Sequence, residues 1–563
     1  MGTNEKSAPA GELVHELLDA AAAQAPHSCA VRDPVAALSY RHLQRLSHAF
    51  ARWLRERGLR RGDRLVVQLP SRCEQVAMFY GASRAGVIFV PLNPAMKEFH
   101  LSSVLANAEP ALVIASGAAT EQLLRITDVP VHDLSAVWPA VQRHAVERHA
   151  VPAVSDHVQR AERGFSAPRT TFGPLDAEGE AAGGAPEDVA VLIYTSGSTA
   201  APKAVIGPHG AVTFACRAIN EVLRYRADDV VFCRFPLSWD YGLYKVLLAC
   251  LGRSELVLAG EESDLLLLRR MRETGATVVP IVPSLATMIA TLAARDTEPP
   301  PPVRMFTNTG AALPPATIEA LRAAFPGAKV VRQFGQTECK RVSIMPPELD
   351  GERPQSVGLP LPGTTVSILD GGGRALPSGA VGEIVVAGPH VMPGYWRAPE
   401  LSARTFRRDA GTGELRLHTG DYGSLDADGY LYFEGRRDDM FKRKGIRMST
   451  LEIEAAAMDV PGVRTAAVLP PAAGRDLTIF VAGDLTPHVV LKELAQRLEP
   501  AKVPSTCHVM SELPLTQHGK NARQTLEALL AEPGEPAANA SAPMDHLPGP
   551  IGRMVHPSDK AAR

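Results

Sequence analysis

The chain has 563 residues, of which 45% are hydrophobic and 21% charged, a composition typical of a globular protein with a large core and more than one domain. Its 59 basic and 61 acidic residues leave a net charge of -2, which argues against nucleic acid as a partner. The seven cysteines form no Cys-x-x-Cys pair, so neither a zinc site nor a disulfide framework is expected, and a cytoplasmic location fits. The sequence has no signal pattern and no apolar run of membrane-spanning length, so we expect no membrane partner.

The first hundred residues alternate between two hydrophobic patterns. Apolar residues at helical spacing predict a helix over residues 40–57, and a second helical pattern covers residues 75–85. Short apolar runs, which are typical of buried strands, occupy residues 64–69 and 87–92. Because helices and strands alternate, the sequence predicts an α/β fold of layered sheets and helices.

The next informative segment, Tyr194 to Lys203, follows a predicted strand and consists of small hydroxyl residues and glycine closed by Pro-Lys. Small residues let backbone N–H groups approach an anion, hydroxyl groups add donors, and Lys203 adds a mobile positive charge. The segment therefore predicts a loop that holds nucleotide phosphates, although an ordinary surface loop is the simpler interpretation. It is not a Walker loop, which ends in Gly-Lys-Ser/Thr and opens a helix. The candidate phosphate ligands are Thr195, Ser196, Gly197, Ser198 and Thr199.

Several short polar motifs follow this loop. Residues 334–338 read Phe-Gly-Gln-Thr-Glu, in which an aromatic ring can stack on a base, a threonine can donate to a phosphate and a carboxylate can hold Mg2+. Residues 419–421 read Thr-Gly-Asp, whose carboxylate can accept two hydrogen bonds from a vicinal diol. Each motif alone is typical of a surface turn. Further motifs stand at residues 309–312, 435–438 and 514–520.

Together with the phosphate loop, these motifs resemble the signature of the adenylate-forming superfamily, which includes acyl-CoA synthetases, luciferases and adenylation domains of nonribosomal peptide synthetases in secondary metabolism. The resemblance covers roughly residues 10–530 and is nearest to free-standing amino-acid adenylation enzymes. It implies a large N-terminal domain over residues 1–437 and a small mobile α+β domain over residues 438–531, with a hinge at Asp438. Residues 532–563 are rich in Ala, Pro and Gly and predict a disordered tail.

The resemblance also implies ATP and Mg2+ as cofactors and assigns roles to the motif residues. Phe334 would lie against adenine, Thr337 would contact phosphate, and Glu338 would bind the metal. The remaining nucleotide contacts would come from Gly310, Ala311, Asp421 and Arg436.

Two further residues bear on the chemistry of the acyl group. Lys520 would bridge the substrate carboxylate and the α-phosphate and stabilise the charge that develops there. Gly445 would lie where a pantetheine arm passes, and the alternative is a turn glycine with positive φ. The chain departs from the family pattern at Ala200 and Ala204, where glycine is usual and where alanine costs about 1 kcal/mol or more if φ is positive.

Asp240 stands where the resemblance puts the start of the acid pocket. In amino-acid-activating members an aspartate at this place holds the substrate's ammonium group. A carboxylate is costly in a pocket that must also accept a carboxylate, unless a cation lies between them. Asp240 therefore predicts a substrate that carries an amine. The alternative is a helix cap, because Asp240 precedes a predicted helix over residues 243–248.

Matching segments along the chain supply the rest of the pocket wall. Tyr, Thr, Gln and Arg side chains suit a substrate with hydrogen-bonding or acidic groups better than one with a long alkyl chain. For Arg341, pairing with Glu338 or with a surface carboxylate stays open as an alternative role. The predicted wall residues are Tyr241, Tyr244, Pro280, Thr307, Thr309, Gln333, Arg341 and Val342.

The sequence thus predicts a free-standing, ATP-dependent ligase that forms an aminoacyl adenylate and passes the acyl group to a pantetheine thiol. A separate carrier protein is the expected acceptor. Three alternatives stay open: transfer of a non-amino acid to free coenzyme A, amide formation, and a non-catalytic homologue. The predicted catalytic residues are Lys203, Thr337, Glu338 and Lys520.

Overall fold

A computed structural model gives the fold of the chain. It describes residues 12–96, 98–147, 184–195, 203–260, 263–436, 440–443, 446–472, 475–498, 500–515 and 522–531, and every structural statement below concerns these residues. They form a mixed α/β structure, which confirms the predicted fold class. No helix within these ranges is both long and apolar enough to cross a membrane.

Six strands form the first sheet, in the order β6–β5–β3–β4–β7–β8. The strands are β3 (Arg64–Gln68), β4 (Ile88–Leu92), β5 (Leu112–Ala115), β6 (Val131–Asp133), β7 (Val189–Thr195) and β8 (Lys203–Pro208). Neighbouring strands are parallel except for the last pair, in which β8 returns antiparallel to β7. The helices between them are α3 (Cys73–Ala85), α4 (Glu98–Ala108), α5 (Ala118–Ile126) and α6 (Leu134–Glu147).

Nine strands form the second sheet, in the order β15–β14–β13–β12–β11–β9–β10–β1–β2. They are β1 (Cys29–Arg32), β2 (Ala37–Ser39), β9 (Val230–Cys233), β10 (Glu255–Leu258), β11 (Val278–Ile281), β12 (Met305–Asn308), β13 (Lys329–Phe334), β14 (Ser343–Ile344) and β15 (Leu359–Pro360). The six adjacent strands β13, β12, β11, β9, β10 and β1 run parallel to one another. Their carboxyl ends therefore meet at one edge of the sheet. The associated helices are α1 (Val14–Gln24), α2 (Tyr40–Glu56), α7 (His209–Leu223), α8 (Asp240–Gly252), α9 (Leu267–Thr274), α10 (Pro283–Ala293) and α11 (Pro315–Ala324).

A third, antiparallel sheet follows, and a smaller α+β region ends the described chain. The third sheet holds β16 (Thr365–Leu369), β17 (Gly382–Ala387), β18 (Phe406–Arg408), β19 (Leu415–Leu425) and β20 (Leu431–Arg436), with α12 (Pro399–Thr405) beside it. The smaller region holds the hairpin β21 (Met440–Arg443) and β22 (Ile446–Ser449), the sheet β23 (Val463–Leu469), β24 (Thr478–Gly483) and β25 (Thr506–Met510), and the helices α13 (Thr450–Met458), α14 (Pro487–Arg497) and α15 (Arg523–Ala531).

One hydrophobic core lies between the two large sheets, and it includes helices that the hydrophobic pattern predicts. The predicted helix over residues 40–57 is α2 (Tyr40–Glu56), and its apolar stripe is buried. Phe50 of α2 and Tyr80 of α3 are fully buried and belong to one hydrophobic cluster with strands of both sheets. This packing holds the ends of β7 and β13, which carry the candidate site residues.

Candidate functional site

The strands β7 and β8 bring the two ends of the predicted phosphate loop together. Thr195 is paired directly with Lys203 across the two strands, so the seven residues between them are closed by a strand pair. Residues 196–202, which include the predicted ligands Ser196, Gly197, Ser198 and Thr199 and the substitution Ala200, lie outside the described residues. Ala204 is buried in β8 opposite Tyr194 and does not have a positive φ, so alanine at this position carries no backbone penalty.

Glu338, the predicted metal ligand, is held by a tyrosine that the sequence interpretation missed. The hydroxyl of Tyr395 donates to Oε1 of Glu338 at 2.7 Å, and the backbone N–H of Met392 donates to the Glu338 carbonyl at 2.9 Å. Among the described residues, the second carboxylate oxygen, Oε2, has no hydrogen-bond partner. Glu338 is a partly exposed residue, and carboxylate oxygens are ligands that Mg2+ prefers, so Glu338 fits the predicted metal. Thr337 precedes it in the same loop after β13.

The predicted adenine and ribose residues lie where the second and third sheets meet. The rings of Phe334 and Phe433 pack with centroids 4.9 Å apart. Asp421 is buried and faces Arg436 across β19 and β20, with Arg436 Nε 3.1 Å from Asp421 Oδ1. The amide of Gln336 donates to Oδ2 of Asp421 at 3.5 Å, which links the two sheets. Gly310 and Ala311 follow β12, the parallel neighbour of β13, and therefore stand at the same edge as Phe334.

Asp240 forms an ion pair that the sequence interpretation did not foresee. Nζ of Lys340 donates to Oδ2 of Asp240 at 3.1 Å, and the exposed fraction of the lysine side chain is 2% against 22% for the aspartate. Asp240 is the first residue of α8, and the residue before the helix is Trp239, without a side-chain cap bond. The helix-cap alternative for Asp240 is therefore wrong, although an acidic residue in a first turn does suit the helix dipole.

Arg341 is buried at the centre of the predicted pocket wall. Its Nε donates to Oε1 of Gln333 at 2.8 Å, and its Nη1 donates to Oγ1 of Thr309 at 3.0 Å. Within the part of the chain that the structure describes, Arg341 bonds neither to Glu338 nor to a surface carboxylate. Gln333 Nε2 is buried and lacks a hydrogen-bond partner among the described residues. An unpaired buried donor costs about 1–3 kcal/mol, so an acceptor on a bound molecule would be favoured beside it.

Tyr241 lies among three basic side chains. Its hydroxyl donates to the Thr307 carbonyl at 2.5 Å, which ties α8 to β12. The ring centroid is 4.6 Å from Lys245 Nζ, 5.7 Å from Lys340 Nζ and 5.4 Å from Arg341 Cζ. Cation–π contacts of this kind are favourable when the cation is desolvated.

The other wall residues lie beside this cluster. The ring of Tyr244 is 4.2 Å from Nζ of Lys340, and Lys245 donates to the hydroxyl of Tyr225 at 3.3 Å. Pro280 is the strand partner of Thr307 across β11 and β12. Val342 is buried and donates its N–H to the Phe334 carbonyl. The predicted wall residues thus come from α8, from the ends of the adjacent strands β11, β12 and β13, and from the loop between β13 and β14.

Two glycines permit the close approach that shapes this wall. A Cβ on Gly335 would lie 2.7 Å from the Lys340 carbonyl, so the loop after β13 folds back on itself only with glycine there. A Cβ on Gly242 would lie 2.2 Å from the Pro236 carbonyl, so glycine is needed where α8 packs on the preceding segment. These contacts place Lys340 and Asp240 face to face.

The local charges shift the pKa values of the cluster. Burial raises the pKa of the Asp240 carboxyl, but Lys340 and Arg341 outweigh burial and hold that pKa below its ordinary value. Burial lowers the pKa of Lys340 to about 8, against the opposing effect of Asp240. Burial, together with Arg341 and Lys340, holds the pKa of Lys245 well below that of an ordinary lysine. At neutral pH the pocket therefore holds an ionised Asp240 beside a protonated Lys340.

Three residues of this site were missed from the sequence: Lys245, Lys340 and Tyr395. Lys340 is adjacent to Arg341 and follows Glu338 closely, so a basic pair beside a predicted metal ligand was an available signal. Lys245 was inside the predicted helix over residues 243–248, but Tyr241 was not; the observed α8 contains both and puts them on one face, four residues apart. Tyr395 is 57 residues from Glu338, and no local pattern indicates the contact.

Several predicted residues lie outside the described residues. These are the hinge residue Asp438, the predicted tunnel residue Gly445 and the predicted catalytic Lys520, together with residues 532–563. Their roles stay predictions.

Most of the chain is similar to proteins of one known enzyme family. The sequence model of the AMP-binding enzyme family matches residues 18–396, and that of the AMP-binding enzyme C-terminal domain matches residues 452–520. The L-proline--[L-prolyl-carrier protein] ligase of Streptomyces coelicolor is 30% identical over 519 residues, which are 89% of this chain and 93% of the ligase. The AMB antimetabolite synthetase AmbB of Pseudomonas aeruginosa is 30% identical over 555 residues, but this chain spans 41% of its length.

A solved structure offers a further comparison. The crystal structure of VinN matches with 53% identity and a TM-score of 0.67, covering 76% of this chain and 99% of VinN. VinN has also been solved in complex with L-aspartate, a structure that matches with 52% identity, a TM-score of 0.65 and the same coverage.

Proposed function

Because the chain belongs to the AMP-binding enzyme family and is an AMP-forming ligase, we propose that it activates an amino acid bearing a second carboxylate. The acid is converted to an aminoacyl adenylate with release of pyrophosphate. The aminoacyl group then passes to the pantetheine thiol of a carrier protein.

The observation that carries this proposal is the convergence of Asp240, Lys340 and Arg341 on one pocket wall. An ammonium group on the substrate complements Asp240. That ammonium also competes with Lys340 for the same carboxylate, which leaves Lys340 and Arg341 in need of an anion. A buried charge without a partner costs several kcal/mol, so a second carboxylate on the substrate balances the site.

Gln333 and Thr309 support the same substrate class. Both accept from Arg341 and so fix the plane of its guanidinium group. Nη1 also donates to the Lys340 carbonyl at 3.0 Å, so among the described contacts Nη2 is the nitrogen that remains to donate a charge-assisted hydrogen bond to a substrate carboxylate. The unpaired Nε2 of Gln333 offers a further donor to the same anion. The L-aspartate complex of VinN lends independent support to an amino-dicarboxylic substrate.

The nucleotide half of the reaction is assigned to the motif residues. Phe334 would pack on adenine, Asp421 and Arg436 would hold the ribose, and Thr337 would donate to phosphate. Glu338 would hold Mg2+, which when bound neutralises phosphate charge. The substrate carboxylate attacks the α-phosphorus of ATP, the bond to the β-phosphate oxygen breaks, and pyrophosphate leaves.

Lys520 is the proposed source of charge stabilisation for this step, and Lys203 is proposed to hold the outer phosphates as they depart. The boundaries at residues 437 and 438 and the hinge at Asp438 are part of the same proposal. They follow from the family resemblance of the motifs around them.

A second candidate substrate class follows from one contact. Lys340 already neutralises Asp240 in the absence of a substrate ammonium. A dicarboxylic acid without an amine could therefore enter the pocket, and free coenzyme A would then be the expected acceptor.

Pyrophosphate release distinguishes these candidates. We expect L-aspartate to give a kcat/KM at least about tenfold above those of L-asparagine, L-alanine and succinate, since each lacks one charged partner. Equal values for L-alanine would overturn the requirement for a second carboxylate. A preference for succinate would overturn the requirement for an amine. A thiol-acceptor comparison, with a phosphopantetheinylated carrier protein against coenzyme A, then tests the second step.

A further inference from the structure

We propose that Tyr395 is a positioning residue for the carboxylate of Glu338. Its hydroxyl holds Oε1 and leaves Oε2 for the metal ion, while its ring keeps the carboxylate apart from Lys203. The inference rests on the proposed assignment of Glu338 to Mg2+.

The backbone around Tyr395 joins the two parts of the nucleotide site. The N–H of Ile206 donates to the Gly394 carbonyl at 3.1 Å, and the N–H of Trp396 donates to the Ala204 carbonyl at 2.8 Å. Val205 pairs with Tyr395 between these two bonds. Segment 394–396 thus adds to the strand that begins at Lys203. On its other side, Met392 bonds to the backbone of Glu338, so one short segment contacts both motifs.

The side chain of Tyr395 has little freedom in this setting. The exposed fraction of the residue is 6%, and its ring packs edge-on against Phe406 with centroids 5.4 Å apart. Ser402 fixes the backbone by accepting the Tyr395 N–H at its Oγ, at 2.9 Å. The hydroxyl is therefore aimed at Glu338 by packing on the ring rather than by the hydrogen bond alone.

The ring also separates two opposite charges. Nζ of Lys203 lies 5.8 Å from the ring centroid, and the Glu338 carboxylate lies at the hydroxyl end of the same ring. Lys203 and Glu338 do not form an ion pair with one another in this arrangement. A direct ion pair would withdraw the lysine from the phosphates and the carboxylate from the metal. Tyr395 thus keeps both groups available to MgATP.

The chemistry of the hydroxyl suits this role. A phenol hydroxyl is a hydrogen-bond donor at neutral pH, and that of Tyr395 donates to Oε1 of Glu338 at 2.7 Å. A carboxylate has two oxygens, and either can bind a cation. A hydrogen bond to Oε1 fixes the plane of the Glu338 carboxylate and leaves Oε2 for the metal ion. Second-layer hydrogen bonds of this type typically change metal affinity about 10- to 100-fold.

The test measures Mn2+ binding by electron paramagnetic resonance, with the full chain and a non-hydrolysable ATP analogue present. We expect Tyr395→Phe to weaken Mn2+ binding about tenfold while the metal-free affinity for the analogue is unchanged. The ring and its contacts are retained in this variant, so the melting temperature should stay near that of the wild type. In the pyrophosphate assay, the Mg2+ needed for half-maximal rate should rise, and the KM for the amino acid should not.

A matched control is available in Tyr432, whose hydroxyl donates to Oδ2 of Asp426 at 3.2 Å, away from the site. Tyr432→Phe should leave Mn2+ binding unchanged.

Glu338→Gln separates the positioning role of Tyr395 from the assignment of Glu338 to the metal ion, on which that role rests. If Glu338→Gln leaves Mn2+ binding intact, the metal assignment of the proposed function fails. If Glu338→Gln weakens binding and Tyr395→Phe does not, the positioning role of Tyr395 is overturned.

Discussion

The ammonium of Lys340 lies 3.1 Å from the carboxylate of Asp240, the group that we propose binds the substrate ammonium. This ion pair is therefore balanced before any amino acid enters, whereas the buried Arg341 contacts only neutral acceptors and leaves the pocket with a net positive charge. Binding an amino acid must redistribute these charges, and the proposed second carboxylate is the group that makes the exchange favourable.

Asp240→Asn should lower kcat/KM for L-aspartate about 100-fold and that for succinate only a few-fold. The amide cannot hold an ammonium by charge, and removing one partner of a buried pair costs about 3–5 kcal/mol. Pyrophosphate release with both acids measures the ratio. Asp229→Asn is a matched control, because Asp229 is a buried carboxylate paired with Arg304 outside the pocket. Equal losses for the two acids in Asp240→Asn would remove the argument for an amine.

Arg341→Met should lower kcat/KM for L-aspartate about 100-fold and leave that for L-alanine within a few-fold, because only the dicarboxylate needs the guanidinium group. Arg332→Met provides the control, since Arg332 is equally buried but donates to backbone carbonyls, among them Ser356. The control should lower the melting temperature without changing the substrate ratio. A ratio that is the same in Arg341→Met and wild type would contradict the proposed carboxylate contact.

The preference for L-aspartate should depend on pH through Lys340. Its pKa is about 8, so the ammonium is present below that pH and is lost as pH rises through it. We expect kcat/KM for L-aspartate to fall about tenfold per pH unit above 8. Lys340→Arg keeps a positive charge throughout this range and should show a flatter profile. Both enzymes, the wild type and Lys340→Arg, are assayed with L-aspartate from pH 6.5 to 9. The ratio of their kcat/KM values cancels the titration of the substrate itself. Parallel profiles would assign the pH dependence to another group.

Lys245 should reduce stability at neutral pH. Its pKa is lower in the folded than in the unfolded chain, so the folded protein binds fewer protons and the free energy of unfolding rises with pH. Lys245→Met should raise the melting temperature at pH 7, and the gain should shrink towards pH 9. Lys329→Met, at an exposed lysine, is the control and should show no such trend. A lower melting temperature at every pH would mean that the contact with Tyr241 outweighs the cost of burial.

Gly445→Leu should block thioester formation and spare adenylation, if the pantetheine arm passes this residue. Arg443 pairs with Ile446 across the β21–β22 hairpin, which leaves two residues for the connection, a length at which hairpins favour glycine. The turn interpretation therefore predicts a lower melting temperature and loss of both half-reactions. Gly445→Ala distinguishes the pantetheine-arm interpretation from the turn interpretation further. A methyl group leaves room for the arm, but it strains a backbone with positive φ. Paired assays of pyrophosphate release and carrier loading measure both steps.

The sequence alone determined the elements and the order of the motifs, because both depend on local information. Helical spacing from residue 40 predicted α2, and its helix begins at Tyr40 and ends at Glu56. The apolar run at residues 64–69 predicted β3, which the structure gives as Arg64–Gln68. Predicted α8 was too short, since its apolar run starts after Asp240, whereas the backbone already turns helical there. Glycine, threonine and acidic residues at fixed spacing indicated a nucleotide site. Small residues let backbone N–H groups approach a phosphate, and carboxylates bind the metal ion.

Only the tertiary structure decided which charges meet. Asp240 and Lys340 are 100 residues apart and come together because α8 packs on the strand ends of β12 and β13. Tyr395 reaches Glu338 because its segment extends the edge of β8. These contacts depend on how sheets and helices pack, and packing is a sum over distant residues that no single stretch of chain encodes. The sequence therefore identified an AMP-forming enzyme, and the arrangement of three basic side chains around the Tyr241 ring was visible only in the fold.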